Sequence, residues 1–433
     1  MTRNLGLLAV IATLVGYVIG ASIFILPGSL AGSAGPAVVV SYMLAAIIAA
    51  FSCVAAAQLG VVFPRVGAGY VAISRLLSPF AGFIGIWLML AVFVLAIVLI
   101  ALGFAEYFVA LVPGANALLV AALVIVLFTL LNLGGAGLMV RVQGLLVLGF
   151  MLALVLVIGV GLGEAEPANL RPFAPAGWYP VIFAAVPAFF SYGGFMAVME
   201  LAGEIRDPAR TIPRALAISF VLVVVTYVAL ALTLVGVMPW QTLGATAAPV
   251  RVVALDLFGS VGGLLVTLAI LGAAATSVNA LLLVASRDIY AMAADGCLPR
   301  WLVANGSTGR SVLLAGLLSL LCLGLGETVI GYAVWVSAFT LIFQVLVGIA
   351  LLRLYTHSTE FDNAPLRLGP RSMLFVGWGL ILVSGFFLAF VAQDSLTRTT
   401  GALVYLALGC AVFWRRSRVR SPALEVTDVH STP

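Results

Sequence analysis

The chain reads as long apolar runs broken by short polar punctuation. A membrane-spanning helix needs about 20 apolar residues, and about twelve such segments are visible, near 5–31, 37–61, 81–111, 116–133, 142–162, 178–203, 215–237, 257–286, 311–325, 328–354, 372–393 and 398–416. The runs are continuous Leu, Val, Ala, Ile and Gly. They lack the alternation of apolar and polar positions that an outer-membrane strand would show, so the pattern predicts helices and no barrel. The longest polar stretches, 163–177, 238–256, 287–310 and 355–371, leave no room for a soluble domain between spans. Function is therefore expected inside the membrane part. The first run, with Arg3 ahead of it and Ala21-Ser22 as small residues, has features of a secretory signal. It continues through Leu26 and is read as a span.

Composition sharpens this picture. Of 433 residues, 64% are hydrophobic and 8% charged, against about 25% charged in a soluble domain, which excludes a water-soluble fold. All 20 basic residues are Arg. A P-loop lysine, a Schiff base and a buried proton-switching lysine are thereby ruled out. Cys53, Cys297, Cys322 and Cys410 are far apart without metal-ligand spacing and read as packing residues. His357 falls in a connection and His430 in the tail, and no HExxH or GxSxG constellation occurs at membrane depth. The expectation is a protein that is not an enzyme and carries no metal or cofactor.

The arginines set an orientation. With the N-terminus on the cytoplasmic side, Arg3, Arg65, Arg75, Arg141, Arg206, Arg210, Arg214, Arg287, Arg300, Arg310, Arg353, Arg367, Arg371 and the group from Arg415 to Arg420 share one side. Arg171, Arg251 and Arg398 fall opposite. The positive-inside rule then places both termini in the cytoplasm of a cell with an inner (cytoplasmic) membrane. The basic tail is read as topological rather than as a site for anionic lipid or nucleic acid.

Two segments carry small residues and prolines at mid-depth, where a freed backbone group is tolerated only if protein or a wet cavity satisfies it. The first reads Gly16-Tyr17-Val18-Ile19-Gly20-Ala21-Ser22-Ile23-Phe24 before Pro27-Gly28, and predicts a break near 20–22. The sixth reads Pro187-Ala188-Phe189-Phe190-Ser191-Tyr192-Gly193-Gly194-Phe195-Met196, and predicts a break near 191–195. Matched breaks in the first and sixth spans are what two five-helix inverted repeats would show. Helix N-termini near Ile23 and Phe195 would face the membrane centre and suit a carboxylate. Carbonyls near Val18, Ile19, Phe190 and Gly193 would be free acceptors for an ammonium group. The combination fits an α-amino acid zwitterion.

At these residues the sequence resembles the amino acid, polyamine and organocation superfamily of permeases. Gly20-Ala21-Ser22-Ile23-Phe24 is similar to the family's first-span stretch. So are the segments Pro64 to Tyr70, Glu204 to Ala215 and Ser286 to Pro299. The resemblance implies a LeuT-type core with helices 1 and 6 broken, plus two peripheral helices. That divides the chain into a first repeat (1–162), a second repeat (163–356), peripheral spans (357–416) and a cytoplasmic tail (417–433). Carried over by position, the substrate carboxylate would meet the amides of Ala21, Ser22 and Ile23, and the amino group the carbonyls of Val18, Phe190 and Gly193. Gly20, Ile19 and Tyr192 complete the two breaks. Ser22 stands where the family's second Gly is usual, and Met196 where many members have Glu. With Phe190, Phe195, Ile97 and Leu281 also placed at the pocket, a neutral apolar side chain is favoured over a cationic one.

Glu106 and Glu200 are the ionisable groups within spans. Glu200 lies about 6 Å along the axis from Met196 and is the candidate for proton coupling, with a structural pairing to Arg287 or Arg141 as its alternative. Thr276 and Ser277, opposite the first break, are the rival candidates for a sodium site. Glu204, Arg206, Asp207, Arg210, Arg65 and Arg287 could form an inner gate of salt bridges. The expectation is a secondary active transporter of small, neutral apolar amino acids that works by alternating access with proton coupling or exchange. An exporter of methionine or branched-chain type, a cationic amino acid or polyamine exchanger, and a non-transporting nutrient sensor on the same fold are the alternatives. Oligomeric state is left open.

Overall fold

The computed structural model describes residues 5–20, 22–63, 68–133, 139–196, 198–199, 202–306, 308–357 and 368–417. Ala21, Arg65, Glu200, Arg367, Arg3, Arg418 and Arg420 lie outside them. The described part is helical. In chain order the helices are α1 (Leu7–Val18), α2 (Ser22–Ala34), α3 (Val38–Val62), α4 (Ala68–Leu76), α5 (Pro79–Leu111), α6 (Ala117–Leu133), α7 (Met139–Gly163) and α8 (Trp178–Phe190). Then come α9 (Pro208–Val237), α10 (Trp240–Ala245), α11 (Pro249–Ala294), α12 (Gly309–Leu323), α13 (Val329–His357), α14 (Pro370–Asp394) and α15 (Leu396–Ser417). Among the described residues, seven helical stretches are long and apolar enough to cross a membrane, and five shorter apolar helices accompany them. Each apolar segment read from the sequence is occupied by helix.

Local chemistry explains the boundaries. The Ser78 side chain accepts the amide of Ala81 and Pro79 occupies the first turn, so α5 starts with a capped end and a residue that has no amide to leave unpaired. Pro208 and Pro249 likewise occupy the first turns of α9 and α11, which have no side-chain cap. Gly259, at φ 68°, interrupts α11 and divides it into a short helix over 249–258 and the long apolar piece that follows. The stretch 238–256, read from sequence as a polar connection, is thus folded into a helical hairpin of α10 and the start of α11. The paired prolines and apolar positions give it an end and a face to bury.

The core is centred on α5, which packs against α11, α13 and α6. Its residues Val94 to Ala101 are consecutively buried, as expected of a helix with neighbours on all sides. α13 packs on α14, α5 and α8, and α9 packs on α3, α1 and α7. At the periphery α15 is fastened by aromatic rings: Tyr405 stacks on Trp87 at 5.0 Å and meets Phe339 at 5.2 Å. Tyr405 also donates to the Trp87 carbonyl at 2.7 Å, while the Trp87 indole donates to the Tyr405 carbonyl at 3.0 Å.

The hairpin closes one end of the bundle over α2. The backbones touch at Gly32 and Gly244, where a Cβ on Gly32 would stand 2.7 Å from the Gly244 Cα, and Gly28 lies directly against Pro249. Tyr107 of α5, fully buried, donates to the Phe24 carbonyl at 2.7 Å and accepts from the Val250 amide at 3.2 Å. One hydroxyl therefore ties three elements together. A Gly32→Val substitution is expected to overpack this contact by about 1–3 kcal/mol, seen as a lowered midpoint of thermal unfolding in detergent.

Candidate functional site

The first apolar segment is interrupted where the small residues predict it. α1 ends at Val18, Ile19 leaves helical geometry at φ −79° and ψ 67°, and α2 begins at Ser22. The amides of the first turn of α2 have no partner within their own helix and carry the positive end of its dipole, so they can accept an anionic group. In the sixth segment α8 stops at Phe190, and Gly193–Met196 forms a 3-10 turn, with helical backbone again at Val198 and Met199. The 3-10 turn follows the consecutive glycines, and Ala197, Glu200 and Leu201 lie outside the described residues. The dipole argument for a carboxylate rests on α2.

The two breaks lie against each other. A Cβ on Gly194 would come within 2.9 Å of the carbonyl carbon and oxygen of Tyr17, so the chain at this position must be glycine for the second break to reach the first. At the arginine-rich end the same two segments join again. The Leu5 amide donates to the Glu204 carbonyl at 3.1 Å and the Arg206 amide to the Leu5 carbonyl at 2.9 Å, a parallel bridge between Leu5 and Ile205.

The expected ammonium acceptors are placed differently from one another. The Val18 carbonyl is not free: it accepts from the Gly20 amide at 2.9 Å and from the Tyr227 hydroxyl at 2.6 Å. Tyr227, fully buried in α9, also lies 2.8 Å from the Ser191 carbonyl, so one hydroxyl spans both breaks. Around it Tyr192 packs edge-on at 4.9 Å and Tyr42 at 5.8 Å, and the Tyr192 hydroxyl donates to the Tyr42 carbonyl at 3.2 Å. Tyr192 is thus turned into the core. Phe195 is likewise buried, against Phe220 at 5.8 Å. Ile97 and Ile23 are buried, and Met196 is nearly so. Phe190, Gly193, Gly20 and Leu281 remain half-buried beside the breaks.

Ser277 faces the first break, its hydroxyl 3.1 Å from where a Cβ on Gly20 would stand. Both coupling hydroxyls are turned back on their own helix: Thr276 and Ser277 each donate to the Ala273 carbonyl at 2.9 Å. A helix hydroxyl of this kind can be redirected to a ligand, but here it serves the backbone. Glu106 sits one residue before Tyr107, in the last turns of α5 at the hairpin end.

Burial is asymmetric across the first break. From Ser22 to Gly28 every residue of α2 is buried, whereas Ala9, Ala12 and Tyr17 of α1 are exposed and Thr13 and Gly16 are half-buried. The half closed over by the hairpin is packed, and the other half presents an accessible stripe. Among the candidate gate residues, Arg206, Asp207 and Arg287 are exposed and Arg65 lies outside the described residues. At the hairpin end Arg398 meets Glu327 at 3.1 Å and Asp394 at 3.0 Å. Among the described residues, no group of His, Cys, Asp and Glu is arranged to hold a metal ion.

Sequence reading missed Tyr227, Tyr107 and the exact role of Gly194. A usable signal existed: a buried tyrosine in an apolar span needs an acceptor for its hydroxyl, and an interrupted helix supplies one.

A family model described as amino acid permease matches residues 5–414. The branched-chain amino acid permease BcaP of Lactococcus lactis subsp. cremoris is 32% identical over 314 residues, 66% of this chain and 68% of that protein. The methylthioribose transporter of Bacillus subtilis is 32% identical over 310 residues, 66% of each chain. The mouse large neutral amino acids transporter small subunit 2 is 30% identical over 321 residues, 69% of this chain and 60% of the mouse protein.

Replacing Gly194 by Leu is expected to force the two breaks apart and to lower transport by at least about tenfold, the equivalent of about 1.4 kcal/mol. Uptake into proteoliposomes, normalised to folded protein by size-exclusion chromatography, measures this.

Proposed function

This chain belongs to the amino acid permease family, and from that premise we propose that it moves neutral apolar amino acids across the cytoplasmic membrane by alternating access. It is a multi-pass membrane protein of amino acid transport. The observation that carries the finer reading is the meeting of the two breaks. The start of α2 offers unpaired amides to a carboxylate, and the ends of α1 and α8 bring the Val18 and Ser191 carbonyls to one point.

The side chain of the substrate would lie along Phe190, Met196 and Leu281. None of these carries a charge, and an apolar surface of this kind discriminates against cationic groups, whose desolvation it does not compensate. Relatives named for branched-chain and large neutral amino acids support the same class. The matched breaks in the first and sixth segments support a LeuT-type arrangement of two five-helix repeats with α14 and α15 outside it. Both termini are assigned to the cytoplasm. The accessible stripe of α1 against the packed α2 supports a form closed at the hairpin end and approachable from the arginine-rich end. Direction, import or export, follows from the driving gradient.

Proteoliposomes loaded with purified protein are expected to take up labelled leucine, isoleucine, valine or methionine, and Ser22→Trp, which fills the start of α2, is expected to abolish uptake. Competition by arginine, putrescine or methylthioribose alone overturns the substrate class.

We assign proton coupling to Glu200. Glu200→Gln is expected to retain leucine exchange while losing accumulation driven by a pH gradient. Unchanged accumulation in that variant, or a strict need for sodium, transfers the role to Thr276 and Ser277.

A further inference from the structure

Buried in the bundle, the hydroxyl of Tyr227 has one proton to give and two carbonyl acceptors within reach, Val18 at 2.6 Å and Ser191 at 2.8 Å. The Gly20 amide also serves Val18. Tyr227 is the donor that the described residues offer to the Ser191 carbonyl. Both carbonyls stand at helix C-terminal ends, where the dipole is negative. The surroundings add hydroxyls, each a donor and an acceptor. The Ser22 hydroxyl stands beside the Tyr227 hydroxyl, and the Tyr42 and Ser191 hydroxyls approach one another without forming a bond of good geometry. This is a buried cluster of hydroxyls and carbonyls located where both broken helices end, and the Tyr42 and Ser191 hydroxyls in it have no hydrogen-bond partner among the described residues.

An ammonium group brings three donor protons and a positive charge to such a cluster. We propose that Tyr227 is the chain's own stand-in for the substrate amino group: it caps the carbonyls while the site is empty and yields one of them when an amino acid arrives. This deepens the proposed function and rests on it. A ligand must therefore outcompete an internal hydrogen bond at this point, and a cationic amine, which brings a positive charge to the negative helix ends, is suited to do so. Tyr227 then acts as a specificity-determining residue that rejects carboxylates lacking the amine.

The test compares L-leucine with 4-methylpentanoate, the same skeleton without the amino group, binding to the full-length protein in detergent by calorimetry. In Tyr227→Phe the carbonyls are uncapped, so the preference for leucine over 4-methylpentanoate is expected to rise by about tenfold, the effect of one charge-assisted hydrogen bond. Incorporation of 3,5-difluorotyrosine at position 227 makes the hydroxyl a stronger donor in nearly the same volume. It is expected to lower the preference, which keeps the test intact should Y227F not fold. Parallel changes in both affinities, with the ratio unmoved in each variant, overturn the proposal and leave Tyr227 a packing residue. Failure of the unaltered protein to bind leucine overturns the substrate class as well.

Discussion

The constraint on which this structure depends is that a backbone polar group released inside an apolar bundle must find a partner there. Interrupting a helix frees carbonyls on one side of the gap and amides on the other, and an unsatisfied group in a medium without water costs several kcal/mol. The chain meets this with long-range hydroxyls. Tyr227 serves Val18 and Ser191 at the two interruptions, while Tyr107 and Ser41 of α3 add cross-helix bonds to the Phe24 carbonyl of α2 and the Val181 carbonyl of α8, both at 2.7 Å. Each bond joins helices far apart in sequence, so the groups that satisfy the backbone also fix how the broken elements are arranged. Polar side chains acting as glue between apolar helices follow the same physics elsewhere in the bundle, where Ser52 donates to Gln344 at 2.6 Å and Asn132 to Asn279 at 2.8 Å.

Glycine is the other half of that solution. A break is useful only if its partner can come close, and Gly194 against Tyr17 and Gly32 against Gly244 are approaches that any side chain would prevent. The first brings the two breaks together and the second holds the hairpin on α2. Small residues in the apolar runs therefore have two distinct uses here. Some end helices, as around Gly20 and Gly193, and others let backbones meet.

How much of this was legible follows from what kind of information each feature needs. The helices and both interruptions were readable because hydropathy, Gly and Pro act locally. The hairpin over 238–258 was not, since its apolar positions are too few to stand out from a connection until α2 is there to receive them. The second interruption was found at the same Gly-Gly pair, where a 3-10 turn packs against α1 and α3. Ser277 lies against Gly20 of the first break, a placement that the family resemblance suggested and that no local register supplies. Tyr227 could not be assigned to Val18, 209 residues away, by any local rule.

The charged residues teach a related lesson. At the arginine-rich end Leu5 and Ile205 pair through the backbone, and at the other end ion pairs gather around Arg398. The backbone bridge does not depend on solvent screening, and it ties α1 to the segment beyond the second break. The Arg398 cluster joins elements at the bundle edge, where Glu327 also accepts from the Trp335 indole at 3.2 Å, and it fixes the start of α15. Charge count orients a chain in a membrane, whereas at the Leu5–Ile205 contact it is the backbone itself that joins two segments.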